Sequence, residues 1–327
     1  MELLKVTALT KHYRVRGGFG GRSGDTGSLL RAVDGVDFSI EKDKVLALVG
    51  ESGCGKSTLA RLVLRLIAPT SGAVSFKGQD IFHLRGDALK AFRKSAQIIF
   101  QDPFASLNPR RTVFDTITEP LIIHKLEKKQ DLRGAAVEIL SQVGLGPEVL
   151  NRYPHEFSGG QRQRICIARA LAVSPELIVA DEPLSALDVS IQAQIINLLM
   201  DLKQKTGISF LFISHDLRVV HYLSDMVGVM YLGKIVEYAP AADLFDRPLH
   251  PYTVMLLESA PKISAAQGDE TRTGPVMGEA PSPIDLPPGC PFHPRCPKRF
   301  EPCDTEIPQL RESHGRQVAC HLWNGKA

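Results

Sequence analysis

The stretch of sequence that decides the fold is FSGGQRQR, at residues 157–164. It follows a phosphate-loop motif, GESGCGKST at residues 50–58, and precedes the apolar run LIVA at residues 177–180, which leads into Asp181 and Glu182. A phosphate loop alone indicates only that a protein binds a nucleotide. Two glycines at the start of a helix can hold another phosphate group through free backbone N–H groups. The two motifs together predict a nucleotide that is bound from two sides, by two copies of one domain.

Composition limits the classes of protein to which the chain can belong. It has 327 residues, 43% of them apolar, and a net charge of +3 with both signs interspersed. This length allows one large domain with an appendage, or two domains. The sequence has no clustered basic stretch of the kind that nucleic-acid binding requires. No apolar run reaches the roughly 20 residues of a membrane-spanning helix, and residues 1–10 show no secretion signal. We therefore expect a cytoplasmic protein that meets a membrane only through a partner.

Changes in composition along the chain predict its organisation. Strand-like and helical segments alternate over residues 1–260, which favours a largely parallel α/β sheet covered on both faces. A mostly helical insert occupies about residues 102–172. Residues 17–28 are rich in glycine and predict a mobile surface loop. Residues 261–289 are typical of a linker, since they are rich in proline, glycine and small polar residues. A cysteine-rich extension, residues 290–327, follows.

The phosphate loop fits the pattern G-x-x-x-x-G-K-[ST] between a predicted strand and a predicted helix, which is the context that this motif requires. Its backbone N–H groups are expected to hold phosphate oxygens, with Lys56 between the terminal phosphates and Ser57 on Mg²⁺. Cys54 is expected to be a small filler in the loop, although an oxidisable thiol is the alternative. The candidate nucleotide contacts in this loop are Gly50, Glu51, Ser52, Gly53, Cys54, Gly55, Lys56, Ser57 and Thr58.

Two carboxylates end the predicted strand at residues 177–180. Ligands of open α/β sheets bind at the carboxyl ends of the strands. Asp181 can therefore hold Mg²⁺, directly or through water. Glu182 can act on a hydrolytic water as a general base or as an orienting group. An ordinary strand end with two solvated acids would look the same, and it is the phosphate loop that favours the functional interpretation.

Six motifs in a fixed order give the chain a resemblance to the ATPase subunits of ABC importers. They are the phosphate loop, IFQDP at 99–103, FSGGQ at 157–161, LIVADEP at 177–183, SALD at 185–188 and SHD at 214–216. The resemblance covers about residues 1–260 and implies the α/β fold of an ABC-type phosphate-loop ATPase with a helical subdomain. Phe157 and Leu184 depart from the family's usual Leu and Thr, and neither change removes an expected contact with phosphate or metal.

Other stretches resemble the peptide-importer branch, which carries dipeptides, oligopeptides or, in some relatives, nickel. They are QDPFASLNPR at 101–110, PLSALDVS at 183–190, MYLG at 230–233, HPYT at 250–253 and the cysteine-rich tail. The form SLNPR at 106–110 resembles the F-type subunit of the two ATPases in such systems. This resemblance implies several partners: a second ATPase of the D type, two permease subunits and an extracytoplasmic solute-binding protein, with no nucleic acid. It also implies a peripheral position on the cytoplasmic side of the inner membrane.

The resemblance implies roles for residues outside the phosphate loop. Tyr13 would stack on adenine, and Asp188 would lie at the seam of an ATPase dimer. Gln101 would join the Mg²⁺ and γ-phosphate site to the helical insert, which would itself dock a permease helix. His215 would contact the γ-phosphate and hold the attacking water or Glu182.

The motif around Ser158 would bind the γ-phosphate held by the facing subunit. The residues concerned are Ser158, Gly159, Gly160 and Gln161. A plain helix cap would use the same free N–H groups, so capping and phosphate binding are compatible. Two subunits would then close around two ATP molecules, and hydrolysis would remove the phosphate that joins them.

Four cysteines in a reducing compartment, Cys290, Cys296, Cys303 and Cys320, suggest a metal site. Their spacing matches neither the close pairs typical of zinc sites nor ferredoxin motifs, so the residues alone leave the metal open. The resemblance to peptide-importer ATPases implies a [4Fe-4S] cluster held by these four thiolates. Zinc, or no metal, is the alternative.

Rival functions remain at this point. A soluble ABC ATPase that acts on nucleic acid or ribosomes usually has two cassettes or long coiled-coil arms, and this sequence has one cassette and no such arm. A regulatory or scaffold ATPase is disfavoured because Glu182 and His215 are intact. Nickel or another small solute stays open as the cargo, because the cargo is selected by other subunits.

Overall fold

The computed structural model describes residues 1–15, 28–259 and 281–323, and two sheets organise them. The strands are β1 (Glu2–Val15), β2 (Ser28–Glu41), β3 (Val45–Val49), β4 (Ser71–Phe76), β5 (Gln79–Asp80), β6 (Ala96–Ile99), β7 (Leu177–Asp181), β8 (Ser209–Ile213), β9 (Met226–Tyr231), β10 (Lys234–Pro240), β11 (Arg311–Ser313) and β12 (Arg316–Val318). The helices are α1 (Lys56–Val63), α2 (Gly86–Ser95), α3 (Pro103–Ser106), α4 (Val113–Ile123), α5 (Leu132–Gln142), α6 (Gly159–Leu171), α7 (Val189–Thr206), α8 (Leu217–Leu223), α9 (Ala241–Asp246) and α10 (Pro251–Ser259). Short 3-10 turns cover Pro147–Val149, Pro154–Glu156, His293–Arg295 and His321–Trp323.

The larger sheet has the order β11-β12-β10-β9-β3-β8-β7-β6. Its strands β9, β3, β8, β7 and β6 run parallel, whereas β10, β12 and β11 add to it antiparallel. Every residue of β3, β7 and β8 is buried, as expected for parallel strands covered on both faces. The predicted α/β fold with a largely parallel sheet is confirmed here.

A second sheet, with the order β2-β1-β4-β5, is entirely antiparallel. This sheet was not predicted as a separate one. Alternation of apolar and polar residues indicates a half-buried strand, but it does not indicate which sheet that strand joins. The glycine-rich loop predicted at residues 17–28 lies outside the described residues, except for Ser28 at the start of β2.

The predicted helical insert is built from α3, α4, α5 and α6; α4, α5 and α6 share one buried apolar cluster, and α3 contacts α6. α4 begins with a capping box, in which Thr112 and Asp115 satisfy each other's backbone N–H groups. α6 begins in the same way, with Ser158 at the N-cap and Gln161 as its partner. The helix predicted to start at Ser158 is therefore confirmed, and the cap holds its first turn in place.

The cysteine-rich extension continues the larger sheet. β12 pairs with β10, with Glu237 opposite Val318 and Tyr238 opposite Gln317. The buried Arg316 donates hydrogen bonds to the carbonyls of Asp243 (2.9 Å) and Arg247 (2.7 Å). The extension is thus joined to the cassette by both backbone and side-chain bonds.

No helix in the ranges that the structure describes combines the length and the apolar character needed to cross a membrane.

We predict that Arg316→Met lowers the free energy of unfolding by about 3 kcal/mol. The change leaves the Asp243 and Arg247 carbonyls without this donor and removes the cation that lies 3.9 Å from the fully buried Glu237 carboxylate. Trp323 is the only tryptophan of the chain, and its indole N–H donates to the Leu249 carbonyl, so its fluorescence reports whether the extension is docked. Urea unfolding followed by this fluorescence measures the effect.

Arg311→Met is the matched control, because Arg311 is exposed on the adjacent strand β11. Equal unfolding midpoints for the two variants would contradict the role given to Arg316.

Candidate nucleotide-binding site

The phosphate loop connects the carboxyl end of β3 to the start of α1. Gly55 is the N-cap of α1 with φ +110°, and a Cβ there would lie 2.0 Å from the Ala32 carbonyl oxygen on β2. Only glycine fits this conformation and this approach. The buried Lys56 Nζ donates to the carbonyls of Gly50 (2.7 Å) and Glu51 (3.0 Å), so its charge lies inside the turn.

Cys54 is buried in the loop, with its Sγ 3.7 Å from Lys56 Nζ. Burial raises the pKa of the Cys54 thiol, which keeps it protonated and poorly reactive. These contacts agree with the small filler expected from the sequence.

Glu51 forms hydrogen bonds with two residues that lie outside the phosphate loop. Its backbone N–H donates to the Tyr252 hydroxyl oxygen at 2.9 Å, and its carboxylate accepts two hydrogen bonds from Arg295. Sequence reasoning missed Arg295 and did not single out Tyr252, because both lie far along the chain from the loop. The stretch HPYT at 250–253 supports the resemblance to peptide importers but gives Tyr252 no role.

Ser57 and Asp181 meet at the base of the loop, where the Ser57 hydroxyl donates to Asp181 Oδ1 at 2.9 Å. Burial raises the pKa of Asp181, and the adjacent Glu182 carboxylate raises it further, whereas the bond from Ser57 acts to lower it. The two oxygen-bearing side chains fit a hard divalent cation such as Mg²⁺. These residues would hold the ion at the position predicted from the sequence.

Three predicted catalytic side chains converge at the ends of the adjacent strands β6, β7 and β8. Gln101 Nε2 donates to Glu182 Oε2 at 3.2 Å, and His215 Nδ1 lies 3.3 Å from the same oxygen. Glu182 has φ +46°, a left-handed conformation that is unusual for a residue with a side chain. Such strain persists where surrounding structure fixes it, often at functional sites.

The start of α6 lies at an exposed corner of the helical insert. Ser158 Oγ accepts from the Gln161 N–H at 3.4 Å, and the Ser158 N–H donates to Gln161 Oε1 at 3.1 Å. A Cβ at Gly160 would lie 2.5 Å from Ile191 Cγ2, so this glycine lets α6 and α7 pack closely. Gly159 is half-buried, near Leu187.

Asp188 is the exposed N-cap of α7, and the next residue, Val189, is 75% exposed. Tyr13 is half-buried on β1, with Lys11 Nζ 5.0 Å from its ring centroid. Tyr13 pairs with Leu30 in the same strand pair that carries Ala32, so it lies on the sheet that the phosphate loop approaches. Its stacking on adenine stays a prediction.

The four cysteines of the extension come near one another without forming a metal-ligand group. Across residues 1–15, 28–259 and 281–323, no three His, Cys, Asp or Glu side chains are placed so that they could hold a metal ion. Burial, together with the nearby thiols of Cys290, Cys296 and Cys303, raises the pKa of the Cys320 thiol to about 12. Side-chain positions thus give the predicted metal site no direct support, although the thiols lie within electrostatic range of each other.

Comparison with known families agrees with this geometry. A family model described as ABC transporter matches residues 33–185, and one described as oligopeptide/dipeptide transporter, C-terminal region, matches residues 236–303. This chain belongs to the ABC transporter ATP-binding proteins. Its resemblance to that family is confirmed, and with it the assignment as an ABC ATPase.

Similar proteins cover nearly the whole chain. The oligopeptide transport ATP-binding protein AppF of Bacillus subtilis is 50% identical over 98% of this chain and 98% of its own length. The dipeptide transport ATP-binding protein DppF of Escherichia coli is 47% identical over 97% of this chain and 93% of its own length. A probable peptide ABC transporter ATP-binding protein of Sinorhizobium fredii is 51% identical over 98% of this chain and 90% of its own length.

Solved structures resemble the cassette part. A dimeric ATP-binding cassette in a post-hydrolysis state, bound to ADP and Pi, has a TM-score of 0.63 at 28% identity, over 73% of this chain and 99% of its own. A component of an ABC transporter complex from Clostridium perfringens has a TM-score of 0.63 at 26% identity, over 75% of this chain and 91% of its own.

We predict that Gly55→Ala weakens ATP binding at least about tenfold more than Gly53→Ala. Both glycines have positive φ, so both substitutions strain the backbone, but a Cβ at Gly53 meets nothing within 4 Å. Only at Gly55 would the added Cβ also collide with a backbone carbonyl, that of Ala32. Calorimetric titration with MgATP measures both affinities, and equal losses would show that backbone strain alone matters.

Proposed function

We propose that this ATPase energises the import of di- and oligopeptides across the cytoplasmic membrane. One observation carries the proposal: the likeness to peptide transport ATP-binding proteins extends through the cysteine-rich extension and does not end at the cassette. The chain would act as the F-type ATPase of such an importer. It would lie on the cytoplasmic side of the membrane, held there by two permease subunits that receive cargo from a solute-binding protein.

Hydrolysis would use the side chains gathered at the sheet edge. The loop N–H groups and Lys56 would hold the phosphates, and Ser57 with Asp181 would hold Mg²⁺, which neutralises phosphate charge. Glu182 would orient the attacking water and accept its proton. Gln101 and His215 both reach the Glu182 carboxylate, so they would fix its position.

The Ser158 corner would complete a site on a second subunit. The motif is exposed, and its helix start offers free N–H groups to a phosphate that belongs to another chain. Asp188 and the exposed Val189 flank the same seam. The second subunit would be a related D-type ATPase, with a second copy of this chain as the alternative.

The helical insert would dock the permease. Phe104, Ile122 and Ile123 are more than half exposed, although each is a large apolar side chain. Such side chains on one subdomain are typical of a surface that binds another protein. Their position in the insert that begins after Gln101 would connect permease movement to the γ-phosphate.

We predict that Glu182→Gln keeps ATP affinity and slows hydrolysis at least about a hundredfold, because the water loses its base. ATP that is bound and not hydrolysed should hold two cassettes together, so the variant should form an ATP-dependent dimer with its partner ATPase. Phosphate release and size-exclusion chromatography with light scattering measure both effects. Near-normal hydrolysis would remove Glu182 from this role.

The Glu182→Gln variant also tests, in cells, which cargo the importer carries. In a strain that lacks this chain, wild type and the exposed-site control Glu312→Gln should restore uptake of a labelled tripeptide, and Glu182→Gln should not. Labelled nickel uptake should be equal in all strains. Loss of nickel uptake with normal peptide uptake would overturn the peptide proposal and favour the nickel importer.

Cys290, Cys296, Cys303 and Cys320 would hold a [4Fe-4S] cluster. The Cys320 thiol lies within electrostatic range of the other three thiols, and this proximity supports the proposal. Burial raises the pKa of the Cys290 thiol to about 11, with contributions from Cys303 and Cys296, so a bound metal would have to stabilise the thiolates. When bound, the cluster would crosslink the extension.

We predict that protein purified without oxygen contains about four iron atoms per chain and absorbs near 400 nm. Cys303→Ser should lose both signals, whereas Cys166→Ser, which changes a buried cysteine in α6, should keep them. Elemental analysis and absorbance measure the outcome. One zinc per chain and no iron would reject the cluster.

A further inference from the structure

Arg295 in the extension forms an ion pair with the phosphate loop across 244 positions of sequence. Its Nη1 donates to Glu51 Oε2 at 2.9 Å, and its Nη2 donates to Glu51 Oε1 at 2.8 Å. Two parallel bonds of this kind fix orientation as well as distance, and lysine cannot reproduce them. The Arg295 side chain is only 5% exposed and the Glu51 side chain is 31% exposed, so the pair is partly shielded from water and salt.

The position of Arg295 depends on the loop between Cys290 and Cys296. The Arg295 N–H donates to the Phe292 carbonyl at 3.0 Å, within the 3-10 turn His293–Arg295. Phe292 is buried against Tyr231 and Tyr252, with ring centroids 5.4 Å from each. The Cys290 N–H donates to the Cys303 carbonyl at 2.8 Å, which ties this loop to the next cysteine.

The position of Glu51 in turn sets the geometry of the loop. The Glu51 carbonyl accepts a hydrogen bond from Lys56 Nζ, the group that would lie between the phosphates. The Glu51 N–H is held by Tyr252, and the preceding strand residue Val49 shares a buried cluster with Tyr252 and Cys290. A shift of Arg295 would therefore move Glu51, and with it a carbonyl that holds Lys56.

We propose that Arg295 is a positioning residue for the phosphate loop, through which the cysteine-rich extension sets the affinity of the chain for ATP. The inference rests on the proposed nucleotide site. In this role the extension contributes to nucleotide binding, although it contains none of the cassette motifs. A side chain that pre-orders a binding loop raises affinity, because ligand binding no longer has to order the loop.

The experiment uses the full chain and measures the Kd for MgATP by calorimetry, together with KM and kcat for hydrolysis. Arg295→Met removes the hydrogen-bond donors, and Arg295→Lys keeps the charge but cannot form the two parallel hydrogen bonds. Glu51→Gln removes the charge of the acceptor. Arg311→Met is the control, since Arg311 is an exposed arginine of the same extension. Trp323 fluorescence shows in each variant whether the extension is docked.

We expect Arg295→Met and Glu51→Gln each to raise the Kd about tenfold, with Arg295→Lys between them and wild type. The double variant Glu51→Gln/Arg295→Met should bind ATP about as well as either single variant, since both remove one interaction. KM should rise with the Kd while kcat at saturating ATP changes less than about twofold, as expected when ground-state binding alone is lost. Arg311→Met should match wild type.

Wild-type ATP affinity in Arg295→Met, with the extension still docked, would overturn the proposal. The proposal would also be overturned if the fold-losses of ATP affinity in the two single variants multiplied in the double variant. If Arg295→Met undocks the extension, Glu51→Gln decides, because it leaves every residue of the extension intact; wild-type affinity there would overturn the proposal. Failure of wild type itself to bind MgATP would instead refute the nucleotide site on which the inference rests.

Discussion

Close approach of backbone to backbone at the end of β3 is the constraint on which the site depends. Several N–H groups can converge on one phosphate only where the chain turns tightly, with no Cβ in the way. Gly55 makes this turn against the Ala32 carbonyl. The antiparallel sheet that carries Ala32 is thus a wall of the nucleotide site. The same sheet carries Tyr13, so an N-terminal aromatic residue lies on the sheet that the phosphate loop approaches.

In the proposed dimer, one chain would contribute two unlike halves of a nucleotide site. The sheet edge carries the phosphate loop and the group formed by Gln101, Glu182 and His215. The Ser158 motif lies elsewhere, at an exposed corner of the helical insert. The Ser158 corner is already ordered by its own capping box, so binding of a partner's phosphate need not build it. Closure of two subunits, as proposed, would then bring together groups that are each held in place within their own chain.

Local motifs could be predicted from the sequence because their residues are neighbours along the chain. The loop, the Ser158 cap and the strand ends that carry Gln101, Glu182 and His215 all follow from short patterns and from the rule that parallel strands share a carboxyl edge. The Glu51–Arg295 pair could not be predicted, because no pattern connects residues so far apart. The separate antiparallel sheet and the β11–β12 hairpin were missed for a related reason: alternation marks a strand but not its neighbours.

The pairing of β12 with β10 has a consequence for biosynthesis. Until residues 316–318 have left the ribosome, β10 has one unpaired side, and the buried Glu237 on that strand lacks the nearby Arg316. An uncovered strand edge is a template for pairing with another chain. A nascent or truncated cassette therefore carries a self-association hazard that pairing of β10 with β12 removes. A nonsense mutation that stops translation before residue 316 would be expected to yield aggregates and not a shortened working subunit.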